Sequence, residues 1–322
     1  MSDAPDRNLA MELVRVTEAA AVAASRWQGR GDKNAVDQAA VDAMRAILAT
    51  VEMDGIVVIG EGEKDEAPML YNGERVGNGN KPEVDVAVDP VDGTTLTARG
   101  ADGALAVIAL ASRGSMFSPG SLVYMDKIAV GEQAAGSIDI EASIEHNIVR
   151  VAKALGKGVG DVTVMILDRP RNEATIREVR AVGSRCALIT DGDIAGVIAT
   201  TKADSGVDML LGIGGSPEAV TAACAMKALG GELQCKIWPR NDAERQYAAD
   251  NSIDLDRVLL THDLVASDDT FFAATGVTPS ALLNGIQMFG NTARTHSVVM
   301  RSRTGTVRFV EAIHRFDRVK SL

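Results

Sequence analysis

The chain has 322 residues, of which 46% are hydrophobic and 24% charged, and its formal net charge is −11. This length and apolar content suit two ordinary domains, or one large two-part unit with a full core. The negative charge argues against a nucleic-acid partner, because nucleic acids are bound through basic patches. The most apolar stretches, such as 104–111, are about half the ~20 residues that a membrane span requires.

The N-terminus and the cysteines predict a cytoplasmic protein. The start, MSDAPDRNLA, carries two Asp and lacks the basic and apolar regions of a signal peptide. Cys186, Cys224 and Cys235 show no C-x-x-C spacing, and an odd number of cysteines suits reduced thiols better than a disulfide framework.

The N-terminal half is predicted to hold a helical layer followed by a mostly antiparallel sheet. Apolar residues recur at three- and four-residue steps over 8–27 and over about 34–51, as on amphipathic helices. Strands are predicted at 56–60, 84–89, 105–110, 122–124 and 127–130. We expect Pro90 to stop the second of these strands, because proline cannot donate to the ladder.

The pattern changes near residue 145. Three strand–loop–helix units follow, with strands at 162–167, 186–190 and 207–211 and helices at 173–179, 194–200 and 217–229. Such units indicate a parallel sheet with right-handed crossovers, and a hairpin of 297–301 and 306–312 ends the chain. We therefore predict a layered α/β fold with two sheets, an α+β half at 1–145 and an α/β half at 146–322.

The segment Asp89-Pro90-Val91-Asp92-Gly93-Thr94 is the most informative in the chain. Two carboxylates three residues apart at a strand end can converge on one hard cation, and the hydroxyl of Thr94 lies near a predicted helix start. An ordinary turn is the alternative, since Asp, Pro and Gly all favour turns.

A second acidic segment, Gly60-Glu61-Gly62-Glu63-Lys64-Asp65-Glu66, also follows a predicted strand. Glu61 abuts the strand end, whereas Glu63, Asp65 and Glu66 are equally well explained as a solvated loop. With Asp37 near the start of the second helix, an all-oxygen site for two or more Mg²⁺ or Mn²⁺ ions is predicted. Asp37 can also be read as a favourable first-turn acid. The predicted ligands are Asp37, Glu61, Asp89 and Asp92.

Three polar loops follow the strands of the C-terminal half, where ligands bind in parallel sheets. Two arginines in the first suit a phosphate, two carboxylates with a glycine in the second suit sugar hydroxyls, and Ser216 in the third is predicted to cap a helix. Glu218 would lie in the first turn of that helix, where an acid is favoured without any metal, or would complete the metal site. One phosphate at the arginines, sugar hydroxyls at the second loop and a second phosphate at the predicted metal site together suggest a bisphosphorylated sugar as substrate. The loops are 169–171, 191–193 and 214–216.

These residues resemble a known family. DPVDGT is similar to the signature of the lithium-sensitive, metal-dependent phosphatases, and further segments resemble class II fructose-1,6-bisphosphatase over nearly the whole chain. The segments are GRGDKNAVDQAAV, GEGEKDEAPMLYNGE, ILDRPR, TDGD, GIGGSPE, FFAATGVT and THSVVMRSRTGTVR.

The resemblance implies an α-β-α-β-α layered fold, a homo-oligomer (dimer or tetramer), and hydrolysis of the 1-phosphate of fructose 1,6-bisphosphate in gluconeogenesis with Mn²⁺ or Mg²⁺. Thr94 would orient the attacking water, or help to deprotonate it, and Asp32 and Lys33 lie in a matching loop. The implied metal ligands are Asp37, Glu61, Asp89, Asp92 and Glu218. The implied substrate contacts are Asp92, Gly93, Thr94, Tyr124, Arg169, Pro170, Arg171, Asp191, Gly192, Asp193 and Gly215.

Three alternatives stay open at this point. Sedoheptulose 1,7-bisphosphate differs from the fructose substrate only at the end away from the scissile bond, so the motifs do not separate the two. Inositol monophosphatase activity is less consistent with paired arginines, which imply a second anionic group. A catalytically silent sugar-phosphate sensor would be expected to lack a metal ligand or Thr94, and all of these are present.

Overall fold

The structure, a computed structural model, describes residues 9–62 and 69–318. The helices in these ranges are α1 (Leu9–Ser25), α2 (Lys33–Leu48), α3 (Thr94–Arg99), α4 (Ile144–Leu155), α5 (Glu173–Val182), α6 (Ile194–Ala199), α7 (Ser216–Leu229), α8 (Asp242–Asp250) and α9 (Thr261–Leu264). The strands are β1 (Asp54–Ile59), β2 (Arg75–Val76), β3 (Glu83–Asp92), β4 (Leu105–Ser112), β5 (Tyr124–Val130), β6 (Thr163–Leu167), β7 (Arg185–Ile189), β8 (Met209–Gly215), β9 (Glu232–Ile237), β10 (Leu259–Leu260), β11 (Phe271–Gly276), β12 (Gln287–Phe289), β13 (Thr292–Arg301) and β14 (Thr306–Arg315).

The chain forms two compact units. The first comprises residues up to Met116 and those from Ser267 onward, and the second runs from Phe117 to Ala266. This division differs from the predicted halves, 1–145 and 146–322, because β11 pairs with β4 and β13 pairs with β11, which returns the end of the chain to the first sheet. Strand pairing of this kind depends on contacts distant in sequence.

The first unit is built on an eight-stranded sheet in the order β12-β13-β11-β4-β3-β1-β2, with β14 paired to β13. β1 and β3 are parallel, and the other described pairs in this sheet are antiparallel, as predicted. α1 and α2 bury apolar faces in one core with the sheet; Leu13, Met44 and Ile108 are completely buried there. Thr17 of α1 also hydrogen-bonds Thr275 of β11 at 2.7 Å.

The prediction that Pro90 ends its strand is wrong. β3 continues to Asp92, and its pairing with β4 shifts register between Asp89 and Asp92. Proline lacks an N–H donor and is tolerated in a sheet where the pairing is irregular. Pro90 lies in such an irregularity, so the strand continues past it and both aspartates lie at its end.

The second unit is built on a six-stranded sheet in the order β10-β9-β5-β8-β6-β7. β6 is parallel to β7 and to β8, as predicted, while β5 is antiparallel to β8 and β9. The strands predicted at 122–124 and 127–130 are one strand, β5. The α/β class with two sheets is confirmed. Among the described residues, every helix is too short or too polar to cross a bilayer.

The two faces of the second sheet differ. α4 and α5 cover one face, where Ile128 of β5 and Val164 of β6 join a core with Ile148 and Val179. Side chains alternate along a strand, so Lys127 points to the opposite face, against which α6 and α7 pack. On the α4 and α5 side the described buried residues include the neutral polar Asn147 of α4, whereas the α6 and α7 side contains the buried charges of Lys127 and Asp193.

Candidate active site

Asp89 and Asp92 lie together at the end of β3. Each offers a carboxylate oxygen, and these two atoms lie within 4.8 Å of each other. Asp89 Oδ1 also accepts a hydrogen bond of 3.1 Å from Val91 N. The next residue, Gly93, has φ of 95° and a close approach to Ala104, which favours glycine and turns the chain directly into α3. The pair is therefore placed on a strand end rather than on a free turn.

Thr94 is the first residue of α3 and is half-buried. Its hydroxyl donates to Val91 O at 3.0 Å. Because this bond uses the hydroxyl proton, the oxygen retains lone pairs that can accept a hydrogen bond from a water or substrate donor.

Glu61 is held rigidly after β1. Gly60 approaches Leu70 so closely that a Cβ at that position would lie 2.0 Å from Leu70 O, and Glu61 N donates to the same carbonyl at 2.9 Å. Burial and then the negative charge of Asp37 raise the pKa of Glu61 to about 7. The remaining acids of this loop, Glu63, Asp65 and Glu66, lie outside the described residues.

Asp37 lies on α2, half-buried, one residue after the buried Val36. Burial raises the pKa of Asp37, and the charge of Lys33 opposes this. Asp32 is the N-cap of α2, with its carboxylate accepting a 3.0 Å hydrogen bond from Ala35 N, so Asp32 has a structural task there.

The carboxylates of this unit fit a hard divalent cation. Asp89 and Asp92 converge, and burial together with the negative charge of Asp37 raises the pKa of Glu61, so a cation would stabilise its ionised form. Oxygen-only donors of this kind are suited to Mg²⁺ or Mn²⁺.

The first loop of the second unit presents two anchored arginines after β6. Arg171 donates from Nε to Ile213 O at 2.9 Å, and its guanidinium lies 4.2 Å from the ring centroid of Tyr124. Arg169 makes a 3.4 Å contact with Asp191 of the next loop. Pro170, between the arginines, is exposed and begins a short 3₁₀ turn. The structure therefore brings Arg171 to Tyr124 and Arg169 to Asp191.

The second loop places a buried carboxylate at the start of α6. Asp193 is 4% exposed and accepts a 2.7 Å hydrogen bond from Nζ of Lys127, which is completely buried. Burial alone would lower the pKa of Lys127, but the charges of Asp193 and then Glu218 hold that pKa above its usual value. Gly192, with φ of 71°, makes the turn between the two aspartates.

The third loop contradicts one prediction. α7 begins at Ser216, and Gly215 occupies the N-cap position, so Ser216 is not the cap. The extended Gly215 is the last residue of β8, and Ser216 N donates to Val123 O, so the strand leads straight into the helix. A Cβ at Gly215 would lie 1.8 Å from Glu218 Oε2, so only glycine leaves room for that carboxylate.

Glu218 lies in the first turn of α7, as predicted. Burial and then the charge of Asp193 raise the pKa of Glu218, and Lys127 opposes this. Within the described part of the chain, Glu218 Oε2 is buried without a hydrogen-bond partner. An acceptor left in this state is suited to a cation.

Two residues of this unit escaped the sequence analysis. Asn172 is completely buried and ties the arginine loop to β8, with Nδ2 donating to Leu167 O and Ile213 O and Oδ1 accepting from Ile213 N. Lys127 reads as one more charged residue on a strand that also carries Asp126. The available signal was that Met125 and Ala129, two positions to either side of Lys127 and therefore on the same face of the strand, are apolar.

Comparison of the sequence with those of known proteins identifies a family. Residues 7–314 match the family described as bacterial fructose-1,6-bisphosphatase, glpX-encoded. The chain is 44% identical to the fructose-1,6-bisphosphatase class 2 of Haemophilus influenzae, over 97% of each chain. It is also 44% identical to the fructose-1,6-bisphosphatase 1 class 2 of Escherichia coli, over 97% of this chain and 96% of the relative. The chain therefore belongs to the family of bacterial, glpX-encoded class 2 fructose-1,6-bisphosphatases.

Proposed function

We propose that this protein is a phosphoric monoester hydrolase that converts fructose 1,6-bisphosphate to fructose 6-phosphate and inorganic phosphate in gluconeogenesis. The observation that carries the proposal is the 44% identity to proteins named for this activity over 97% of the chain. The acidic strand end and the arginine loop supply the two kinds of group that such a substrate needs.

The ligands proposed for the metal are Asp37, Glu61, Asp89 and Asp92, whose carboxylates are crowded or buried. The resemblance adds Glu218, whose buried Oε2 supports the addition. Mg²⁺ or Mn²⁺, when bound, would offset the charge of the phosphate and lower the pKa of a water.

Thr94 is proposed to orient the water that attacks phosphorus. Its hydroxyl donates to Val91 O, which fixes the side chain and leaves the oxygen as an acceptor for one proton of that water. The water forms the new P–O bond in line with the departing 1-oxygen of the sugar and gives up one proton, and the sugar oxygen takes up one proton as the old P–O bond breaks.

The second unit is proposed to bind the rest of the substrate. Arg169 and Arg171, as cations with several N–H donors, would bind the phosphate that is not cleaved. Asp191 and Asp193 would accept hydrogen bonds from sugar hydroxyls, and Tyr124 would pack beside the arginine loop. The remaining proposed contacts are Asp92, Gly93, Thr94, Pro170, Gly192 and Gly215.

The test is release of inorganic phosphate by the purified protein with Mn²⁺ or Mg²⁺, and again with a chelator. Fructose 1,6-bisphosphate, sedoheptulose 1,7-bisphosphate and inositol 1-phosphate are compared side by side. Metal-dependent release that prefers the bisphosphates supports the proposal, and the ratio between the two bisphosphates decides whether the sedoheptulose substrate is also used. Absence of release from all three, with metal bound, would make the protein a sugar-phosphate sensor.

Further features of the family resemblance extend the proposal. Kinship with the lithium-sensitive phosphatases, suggested by DPVDGT, predicts inhibition by Li⁺ in the same assay. A cytoplasmic location is proposed because none of the three cysteines forms a disulfide in the described structure. A dimer or tetramer of the 33.8 kDa chain is proposed from the resemblance, and light scattering of the purified protein measures its mass.

A further inference from the structure

The ammonium group of Lys127 is the least expected feature of the second unit. Its side chain is completely buried, although lysine is almost never buried without a partner. Nζ donates to Asp193 Oδ2 at 2.7 Å, within the range of a charge-assisted hydrogen bond. A buried ion pair of this kind gives little net stability. The buried ammonium group therefore calls for another role, and we look for it in the carboxylate that the ammonium group binds.

The two carboxylate oxygens of Asp193 differ in their hydrogen bonds. One carboxylate oxygen accepts from Lys127, and the other, Oδ1, is buried without a hydrogen-bond partner among the described residues. The carboxylate is therefore fixed at one oxygen, and its other oxygen is buried with its hydrogen-bonding capacity unused among the described residues. Asp193 also stands at the N-cap position of α6 without making a side-chain capping bond, so local helix chemistry does not account for its orientation.

Gly214 supports the same arrangement from the neighbouring strand. A Cβ at that position would lie 1.9 Å from Asp193 Oδ2 and 2.9 Å from Lys127 Nζ. The ion pair thus packs directly on the backbone of β8 and fills the space that a side chain would take. Gly214 is not among the glycines with positive φ, so the close approach, rather than the backbone conformation, requires glycine there.

We propose that Lys127 is a positioning residue that holds the carboxylate of Asp193 so that its second oxygen accepts a hydrogen bond from a sugar hydroxyl of the substrate. Lys127 acts through Asp193 and does not touch the substrate. This inference rests on the proposed bisphosphatase function and adds to it a residue of β5, outside the sugar-binding loop, that no sequence motif indicates.

The principal test replaces Lys127 with methionine, which keeps the length of the side chain and removes the charge. KM for fructose 1,6-bisphosphate is expected to rise at least about tenfold with a smaller change in kcat, because the lost interaction serves binding. The dissociation constant of fructose 6-phosphate, measured by calorimetry, is expected to rise in parallel. A role in folding alone would reduce the active fraction, and hence the apparent kcat, and leave KM unchanged.

The matched control is Lys157→Met. Lys157 forms another lysine–aspartate pair in the same unit, 2.5 Å from Asp208, next to the opposite end of β8. Its loss is expected to leave KM within about twofold of the wild type. Comparing the two variants distinguishes the general effect of losing a lysine–aspartate pair from the specific effect of losing the pair of Lys127 and Asp193.

A double-mutant cycle with Asp193→Asn tests the route of action. In the Asp193→Asn background, Lys127→Met is expected to change KM less than about threefold, because the carboxylate that Lys127 holds is already absent. Equal effects in the two backgrounds would overturn the proposal, as would a folded Lys127→Met protein with wild-type KM and wild-type affinity for fructose 6-phosphate.

Gly214→Ala provides a second variant should Lys127→Met fail to fold. It keeps both charges and displaces the carboxylate, so KM is expected to rise by a similar factor; an unchanged KM would overturn the proposal. The measurement of fructose 6-phosphate binding also distinguishes a failure of this inference from a failure of the proposed bisphosphatase function. If the wild type bound fructose 6-phosphate but did not hydrolyse the bisphosphate, the proposed reaction would fail while the effect of Lys127 on binding would still be decided.

Discussion

The proposed role of Thr94 predicts that its loss slows turnover and leaves binding of the sugar phosphate largely unchanged. Replacement by alanine removes the oxygen that would accept from water and leaves the neighbouring carboxylates in place. We expect kcat to fall by about 10²–10⁴, the usual contribution of a group that assists proton transfer. The dissociation constant of fructose 6-phosphate should change little.

Thr94→Ser serves as the conservative variant, and Thr95→Ala as the neighbour control, since Thr95 lies one position further along α3. Both should retain most of the activity. Normal turnover in Thr94→Ala, measured by phosphate release, would remove Thr94 from the mechanism.

The raised pKa of Glu61 predicts that the stability of the metal-free protein depends on pH. Its pKa in the folded state is about 7, against an ordinary value of 4.5. Between these values the folded protein keeps a proton that the unfolded chain has released, so the free energy of unfolding should fall as the pH rises from about 4.5 to 7. Circular dichroism melts of chelator-treated protein should therefore show a decreasing Tm over this interval.

Glu61→Gln should flatten this part of the profile, because the amide does not titrate. Glu52→Gln, at an exposed position, is the matched control and should keep the wild-type slope. An identical slope in Glu61→Gln and wild type would show that another group is responsible.

At the scale of elements, Asn172 links the arginine loop to β8. Replacement by alanine would leave the amide of Ile213 and the carbonyl of Leu167 without their side-chain partner, while the carbonyl of Ile213 would keep Arg171 Nε as a donor. We expect a loss of roughly 2–4 kcal/mol in the free energy of unfolding, since an unsatisfied buried group costs about 1–3 kcal/mol. KM for the bisphosphate should also rise, because Arg171 is anchored on the same carbonyl.

Asn147→Ala is the control for this prediction. Asn147 is also buried and bonds backbone groups of Asp139 and Ser143 near α4. A similar loss of stability with unchanged KM is expected, measured by urea unfolding and phosphate release. A KM that changes equally in both variants would contradict a specific role for Asn172.

Elements with local signals could be predicted from the sequence. The amphipathic pattern indicated α1 and α2, and strand–loop–helix repeats indicated β6, β7 and β8 with their helices. The pairing of β5 with β8 and β9, and of β11 with β4 and β13, could not be predicted, because no local pattern encodes contacts between segments that are separated by other elements in the chain. The division of the chain into units depends on those pairings.

The same limit applies to the candidate site. The convergence of Asp89 and Asp92 was accessible, because these residues belong to one short motif at a strand end. The contact of Arg171 with Tyr124 was not accessible, because it joins two different strands of the second sheet. The pair of Lys127 and Asp193 was not accessible, since it joins positions 66 residues apart and depends on which face of β5 is covered. Asn172 was missed for a similar reason, since its partners lie on β8.

At the scale of the whole molecule, a net charge of −11 must be reconciled with a substrate that carries two phosphates. The arginine loop can offset one of them. At the carboxylates of the first unit a phosphate would be repelled, and divalent cations are the simplest counter-charge. Substrate binding and metal binding should therefore be coupled, with the affinity for the bisphosphate weakest in chelator.

Metal binding should also stabilise the protein as a whole. An ion that binds only the folded state at 100 times its Kd adds about 2.7 kcal/mol to the free energy of unfolding, which at roughly 2–4 °C per kcal/mol corresponds to a rise in Tm of about 5–10 °C. Calorimetry with Mn²⁺ or Mg²⁺, against chelator, measures the shift. Asp89→Asn should abolish it by removing a ligand, whereas Asp250→Asn, at the exposed end of α8, should retain it. A shift that survives in Asp89→Asn would place the stabilising ion away from the end of β3.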